Sequence, residues 1–212
     1  VQYSSVTSCL TPLGNAAGKH VVTVEGINMP QLSPVQQAIV DEGGTQCGFC
    51  TVGFVLSLTG FCLENGTAHY PEAVAAMDGN ICRCTGYKSL ERAAARLTEA
   101  LADRPDTGAL DWLVERRFLP DYFKTIPEKL RGMQAAPNAG NGQMRVSGGT
   151  DLYVQKHDAL VGLDVDLLFE KPELKGIFIE KNSCTLGAQT TVSDMLHFPA
   201  LREIFPRLPQ HL

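Results

Sequence analysis

Aromatic residues are scarce in this 212-residue chain, at 7%, and basic charge is not in excess: 18 Lys and Arg face 23 Asp and Glu, a formal net charge of -5. Nucleic acid and anionic membrane surfaces both need clustered Lys and Arg, so neither is expected as a partner. The longest apolar run, Thr51 to Leu63, is too short to cross a bilayer, and no charged segment followed by an apolar stretch opens the chain. These absences predict a soluble, cytoplasmic protein that does not engage a membrane. The five histidines, at 20, 69, 157, 197 and 211, show no ligand spacing and read as structural or surface residues. No Ser-His-Asp or paired-carboxylate arrangement can be defended, so no catalytic residue is assigned. There is no internal repeat and no low-complexity tract. Position 1 is not Met, and the single strand pattern near it cannot bury a core, so the chain is expected to begin inside a domain, as a fragment. With 44% apolar residues, one large domain or two small ones would fit.

Cysteine is what the chain does have, at 9, 47, 50, 62, 82, 84 and 184. Seven are too many for a reducing compartment to leave idle and too sparse for a disulfide scaffold. Four form close pairs, Cys47-Gly48-Phe49-Cys50 and Cys82-Arg83-Cys84, separated by residues 51–81, the layout of four thiolates converging on one centre. Disulfides are disfavoured by the compartment. Structural zinc and an iron-sulfur cluster both accept four thiolates, and zinc sites usually pair cysteines two to four residues apart on β-knuckles. One pair here has a single intervening residue and both sit at helix turns, which favours iron-sulfur ligation while zinc stays open.

The surrounding pattern is helical. Ser33-Pro34-Val35-Gln36 combines an N-cap, Pro at the first helical position and Gln three residues after the cap, opening a helix that should end near Gly43-Gly44. Thr51 to Glu64 is apolar nearly all round and should be the central helix of a bundle. Pro71 to Met77 gives a third helix and Ser89 to Ala102 a fourth, with Leu90, Ala94, Leu97 and Leu101 on one face. The cysteine pairs fall at helix N-termini, where the macrodipole and free N–H groups stabilise an anionic centre. Before the bundle, Lys19 to Glu25 alternates like a strand. After it, Arg104-Pro105-Asp106-Thr107-Gly108 reads as a linker leading to a brief helix over Leu110 to Arg117. A second composition begins at Asp121. Tyr122-Phe123 is expected as a strand, Thr125 to Glu128 as a capping box opening a helix to about Gln134, and Pro137 to Gly142 as a mobile loop. Strands are expected at Met144 to Val146, Leu167 to Phe169, Gly176 to Ile179 and Thr185 to Ala188, with Lys181-Asn182-Ser183 as a hairpin turn and a last helix opening at Ser193. This order makes the second part α/β or α+β.

Gln46-Cys47-Gly48-Phe49-Cys50-Thr51 together with Gly79-Asn80-Ile81-Cys82-Arg83-Cys84-Thr85-Gly86-Tyr87 resembles the helical 2Fe-2S domain of the molybdenum hydroxylases, the family of xanthine dehydrogenase and aldehyde oxidase. Val146-Ser147-Gly148-Gly149-Thr150-Asp151-Leu152 looks like the first FAD loop of the flavin domain that the bacterial xanthine dehydrogenase small subunit fuses to its iron-sulfur domains. Gly187-Ala188-Gln189-Thr190-Thr191 is similar to a later stretch of that domain. The resemblance covers nearly the whole chain and is weakest over 103–120. It implies an α+β chain: 1–30, a C-terminal remnant of a β-grasp, plant-type 2Fe-2S ferredoxin domain; 31–102, a four-helix 2Fe-2S-binding bundle; 103–120, a linker; and 121–212, the first part of an FAD-binding domain. It implies Cys47, Cys50, Cys82 and Cys84 as ligands of one 2Fe-2S cluster, and Cys9 as the last ligand of a second whose other three cysteines are absent. It also implies Arg145, Val146, Ser147, Gly148, Gly149, Thr150, Asp151 and Leu152 at FAD, with Gln46 and Cys84 near the pterin of a molybdenum cofactor held by a large partner subunit.

The activity so implied is an oxidoreductase relay, from molybdenum through 2Fe-2S to FAD and NAD in a hetero-oligomer; an aldehyde or other N-heterocycle hydroxylase is the alternative. A strand ending in Gly148-Gly149 also suits a pyrophosphate physically, since successive N–H groups in such a turn make an anion nest. The chain ends before a second glycine-rich FAD loop, so a partial flavin site is expected. Arg83 is a candidate for tuning charge at the cluster. Within this chain Cys9, Cys62 and Cys184 read as small buried hydrophobes.

Overall fold

Ser33 starts the first helix as its local sequence requires. Its hydroxyl accepts from the Gln36 N–H (3.2 Å) while the Gln36 side chain accepts from the Ser33 N–H (2.8 Å), closing a capping box with Pro34 behind it. The computed structural model describes residues 1–133, 142, 144–168 and 171–211. Its mixed helices and small sheets divide into two units, Val1–Thr7 with Gly18–Gln134 and Ser8–Ala17 with Ala135–Leu212.

The first unit is helical. α1 (Pro34–Asp41), α2 (Thr51–Leu63), α3 (Tyr70–Met77) and α4 (Tyr87–Ala100) pack around α2, which buries Phe54, Val55, Leu58, Phe61 and Cys62 on several sides. α4 is amphipathic: Leu90, Ala93, Ala94 and Leu97 are buried, and on its exposed side Arg92 reaches Glu42 (3.0 Å) and Arg96 reaches Asp41 (2.7 Å) at the end of α1. Those acids face the negative end of their own helix dipole, so the arginines relieve a local conflict as well as joining two helices. α5 (Leu110–Glu115) and α6 (Ile126–Gly132) complete the unit.

Several expectations are corrected here. Lys19 to Glu25 is not a strand: the backbone is extended at Thr23 and then turns through a 3-10 helix, Val24–Ile27, with Gly26 N–H donating to the Thr23 carbonyl. Among the described residues this unit offers no second strand to pair with, and Val22, Val24 and Ile27 instead pack on the helical core. Tyr122-Phe123 likewise lies in a 3-10 turn, Asp121–Thr125, which buries Phe123. That turn runs directly into α6, so Thr125 has helical backbone and donates its hydroxyl to the Tyr122 carbonyl (2.8 Å) rather than capping. The stretch 103–120, read as a linker, is packed: Leu113, Phe118 and Leu119 join the core, and Arg104 is 8% exposed.

The N-terminal segment is tied to this unit by an aromatic cluster in which His20 meets Tyr3, Tyr122 and Phe123. Burial pushes the Tyr3 phenol up to about 12, so it stays protonated, and its hydroxyl is hydrogen-bonded with His20 Nδ1 (2.8 Å). Burial, and then the Lys129 ammonium, hold His20 below the ordinary histidine value. The unfolded chain therefore takes up the proton first: stability is complete above about pH 6.5 and falls as pH drops from there to the lower folded-state value. His20→Phe should flatten this acid-side loss, read as the difference between the wild-type and variant urea midpoints from pH 7.5 to 5.5; parallel profiles would exclude His20 as the titrating group.

In the second unit β1 (Met144–Val146) leads through Gly148-Gly149 into α7 (Thr150–Gln155) and α8 (His157–Leu160), then to β2 (Val165–Leu167), which pairs parallel with β1, Arg145 opposite Asp166. β3 (Ile177–Glu180) and β4 (Ser183–Leu186) form an antiparallel hairpin turned at Lys181-Asn182, so Ser183 belongs to the strand. The last helical part is two helices, α9 (Val192–His197) and α10 (Pro199–Ile204). α9 is capped by Thr191 with Asp194 rather than opened by Ser193. Apart from Gly142, the loop expected over 137–142 lies outside the described residues, as do Gln134 and Phe169. No helix among the described residues is long and apolar enough to cross a membrane.

Candidate metal centre

Two loops carry the paired cysteines. In the first, Gly48 has φ 84°, a left-handed conformation that favours glycine, and the Thr51 N–H donates back to its carbonyl (3.2 Å), placing Cys50 at the cap of α2. In the second, Thr85 takes φ 61° despite its branched side chain, which costs about 1–3 kcal/mol. The following Gly86 N–H donates to Cys82 Sγ (3.4 Å). The Thr85 hydroxyl and the Gln46 side chain both donate to the Cys84 carbonyl, at 2.7 and 3.2 Å, so Gln46 ties the first loop to the second. The Cys82 N–H donates to the Tyr87 hydroxyl (2.7 Å).

Across the loops the Cys47 thiol is hydrogen-bonded to Cys84 and the Cys50 thiol to Cys82, and Cys82 also acts electrostatically on Cys47 and Cys84. Within each pair one thiol is eased toward thiolate. The Phe49 N–H, then the Cys84 thiol, lower Cys47; the Gly86 N–H, with the Cys50 thiol and the Cys84 and Thr85 N–H groups, lowers Cys82. Their partners go the other way, Cys50 raised by burial and then by Cys82, Cys84 raised by its hydrogen bond to Cys47. A bound cation would remove the remaining protons. Cys82 is buried, Cys50 and Cys84 half-buried and Cys47 exposed, which gives the centre one open edge.

Two thiol pairs, each able to chelate one metal and met by backbone N–H donors, fit an anionic two-iron centre whose sulfurs need hydrogen bonds. A single zinc requires its sulfurs arrayed equally around one ion at about 2.3 Å. Each sulfur also feels neighbours outside its own hydrogen-bonded pair, Cys82 acting on both Cys47 and Cys84, so the four thiols gather as one cluster.

Cys9 sits exposed in a 3-10 turn, Ser8–Leu10, of the second unit. Cys62 is fully buried on α2, as expected for a small hydrophobe, but Cys9 and Cys184 are exposed: Cys184 lies on β4, all of whose residues are exposed in a two-stranded hairpin. Arg83 is exposed and makes no ion pair among the described residues.

Arg145 is exposed on β1 and Val146 is fully buried, which leaves only the Val146 backbone available to a ligand. Gly149 has φ 76° and lies against Val146 and the Tyr153 ring, with no room for a side chain, whereas at Gly148 a Cβ would meet nothing within 4 Å. With Ser147 half-buried, this leaves open space at Gly148 ahead of the first turn of α7, where helix N–H groups have no intrahelical partner, a fit for an approaching diphosphate. Thr150 and Asp151 are exposed, Leu152 is half-buried, and the Asp151 carboxylate accepts from the Gln155 side chain (2.6 Å).

Sequence reasoning assigned no role to Asn80, Tyr87 or Arg104. The first two lie inside the cysteine motifs, and only the folded chain shows what they touch.

Residues 23–95, which include all four paired cysteines, match the family described as the 2Fe-2S binding domain. The xanthine dehydrogenase of Blastobotrys adeninivorans is 48% identical over 96 residues, 43% of this chain and 7% of that protein. The nicotine 6-hydroxylase small subunit of Paenarthrobacter nicotinovorans is 38% identical over 102 residues, 48% of this chain and 58% of that subunit. Aldehyde oxidase 2 of Cavia porcellus is 41% identical over 91 residues, 42% of this chain and 7% of that protein. Dehydrogenase, oxidase and hydroxylase are all names of oxidoreductases, and the chain spans less than two thirds of each.

Proposed function

We propose that Cys47, Cys50, Cys82 and Cys84 hold a 2Fe-2S cluster and that the chain is an electron-transfer part of a molybdenum hydroxylase of the xanthine dehydrogenase type. The observation that carries this reading is the pairing of thiols across the two loops, with the N–H groups of Phe49, Thr85 and Gly86 directed at sulfur. When bound, such a cluster passes single electrons. The chain's own part is to hold four sulfurs in two pairs and to neutralise their charge with backbone dipoles.

In this reading residues 31–102 are the cluster-binding domain and 121–212 contribute the first part of an FAD-binding domain, its opening stretch 121–132 packing with the helical unit, while residues 1–30, divided between the two units, are a ferredoxin-domain remnant that includes Cys9. Gln46 and Cys84 face the molybdenum cofactor of a large partner subunit. Arg145 to Leu152 take FAD, NAD is the final acceptor, and the hetero-oligomer works in the cytoplasm. Phe49 and Ile81, 93% and 84% exposed beside the cysteines, are apolar surface suited to such a partner. The separate-subunit arrangement is supported by the match to a subunit named small in the nicotine hydroxylase. Because an aldehyde oxidase and a nicotine hydroxylase stand beside the xanthine dehydrogenase, an aldehyde or another N-heterocycle is the alternative substrate.

The test is iron, zinc and acid-labile sulfide per chain on anaerobically purified protein, with its visible spectrum. Two irons and two sulfides with a red-brown colour are expected. One zinc without sulfide, in a colourless protein, would make this a structural thiolate site and end the electron-transfer reading.

A further inference from the structure

Asn80 lies two residues before Cys82, and Gly53 three residues after Cys50. Between them is a contact that the ligand assignment does not require. The Asn80 amide nitrogen donates to Ser57 Oγ on α2 (2.8 Å) and to the Met77 carbonyl at the end of α3 (3.1 Å). This directs the Asn80 carboxamide oxygen onto Gly53, where a Cβ would collide with it. The oxygen is the end of a side chain, yet it can swing clear only by giving up both hydrogen bonds, one of them to a buried hydroxyl. Gly53 has no positive φ, and glycine inside a helix costs about 1 kcal/mol relative to alanine. Its presence is explained by the close approach of Asn80, since backbone conformation does not demand it.

We infer that Asn80, seated on Gly53, is a positioning residue that sets the spacing between the Cys50 and Cys82 sulfurs. The brace works through backbone, because Asn80 fixes the loop that ends in Cys82 against the first turns of the helix that begins at Cys50. Its bearing on electron transfer rests on the cluster reading above; the spacing itself does not, and can be measured without metal.

The experiment uses the whole 212-residue chain, freed of metal by chelation and reduced. Diamide is then added, and the Cys50–Cys82 and Cys47–Cys84 disulfides are followed separately by peptide mass. Diamide takes the two thiol hydrogens and is reduced to the hydrazine as each S–S bond forms. Gly53→Ala should slow the Cys50–Cys82 disulfide at least tenfold and leave Cys47–Cys84 within about twofold. Gly60→Ala, on the same helix, controls for the gain in helix propensity. Asn80→Ala should slow the same disulfide, and Gly53→Ala combined with Asn80→Ala should be no slower than Asn80→Ala alone, because the added methyl then meets nothing. Equal Cys50–Cys82 rates in wild type and both single variants, or additive losses in the double variant, would overturn the brace. Iron-free wild-type protein would refute the electron-transfer reading while the disulfide rates still decide the brace.

Discussion

Cys84→Ser should abolish cluster loading, iron falling more than about tenfold and the visible spectrum bleaching with it, while Cys62→Ala keeps both. The two thiols are separated by environment. Cys84 lies in sulfur contact with Cys47, and the Gln46 side chain holds its carbonyl from the other loop. A serine hydroxyl there offers a harder oxygen and leaves Cys47 without its partner. Cys62 is 0% exposed on the interior of α2, where burial drives its thiol far above the ordinary value. It is a packing group, and its truncation should cost about 1–2 kcal/mol of unfolding free energy in denaturant titration with no spectral change. Equal bleaching by both variants would mean that the ligand set is misassigned.

Arg104→Met should cost about 3 kcal/mol in urea unfolding, a large loss for a residue outside the cysteine loops. Arg104 is 8% exposed, and its guanidinium donates to three main-chain carbonyls, those of Cys62 and Glu64 at 2.6 Å each and that of Gly66. These carbonyls lie at and just beyond the C-terminal end of α2, where a helix leaves acceptors unpaired and its dipole favours a cation. Methionine keeps most of the stem but orphans three acceptors, each costing about 1–3 kcal/mol when water cannot reach it. Water would recover part of that sum. Variant protein that remains folded should load iron normally, since Arg104 acts at the far end of α2 from Cys50. A loss below about 1 kcal/mol would show that solvent replaces the guanidinium without penalty.

Local features were legible in the sequence where their causes are local. Ser33 and Gln36 cap a helix with groups three residues apart, and the apolar circumference of α2 follows from its own residues. The strand pattern at Lys19 to Glu25 misled because β-branched alternation describes a ladder and an irregular segment laid on a core equally well; only a neighbouring strand distinguishes them. Arg104 hid in a loop-like composition because its partners are carbonyls some forty residues earlier, and no local pattern marks such a distance. The cysteine spacing drew attention to the four thiols. Which sulfur meets which depends on how α2 and α3 bring the loops together, and spacing alone carries no such information.

That crossed arrangement, first cysteine with last and the inner two with each other, has a consequence for chain connectivity. A metal held by either pair would join one loop to the other and enclose α2 and α3 in a closed ring of roughly 35 residues, as a disulfide would. Closing a ring of that size removes unfolded-chain entropy worth about 4 kcal/mol. Binding of the metal would thereby act as a cross-link on the helical unit, and its release would loosen the same helices that position the thiols for rebinding.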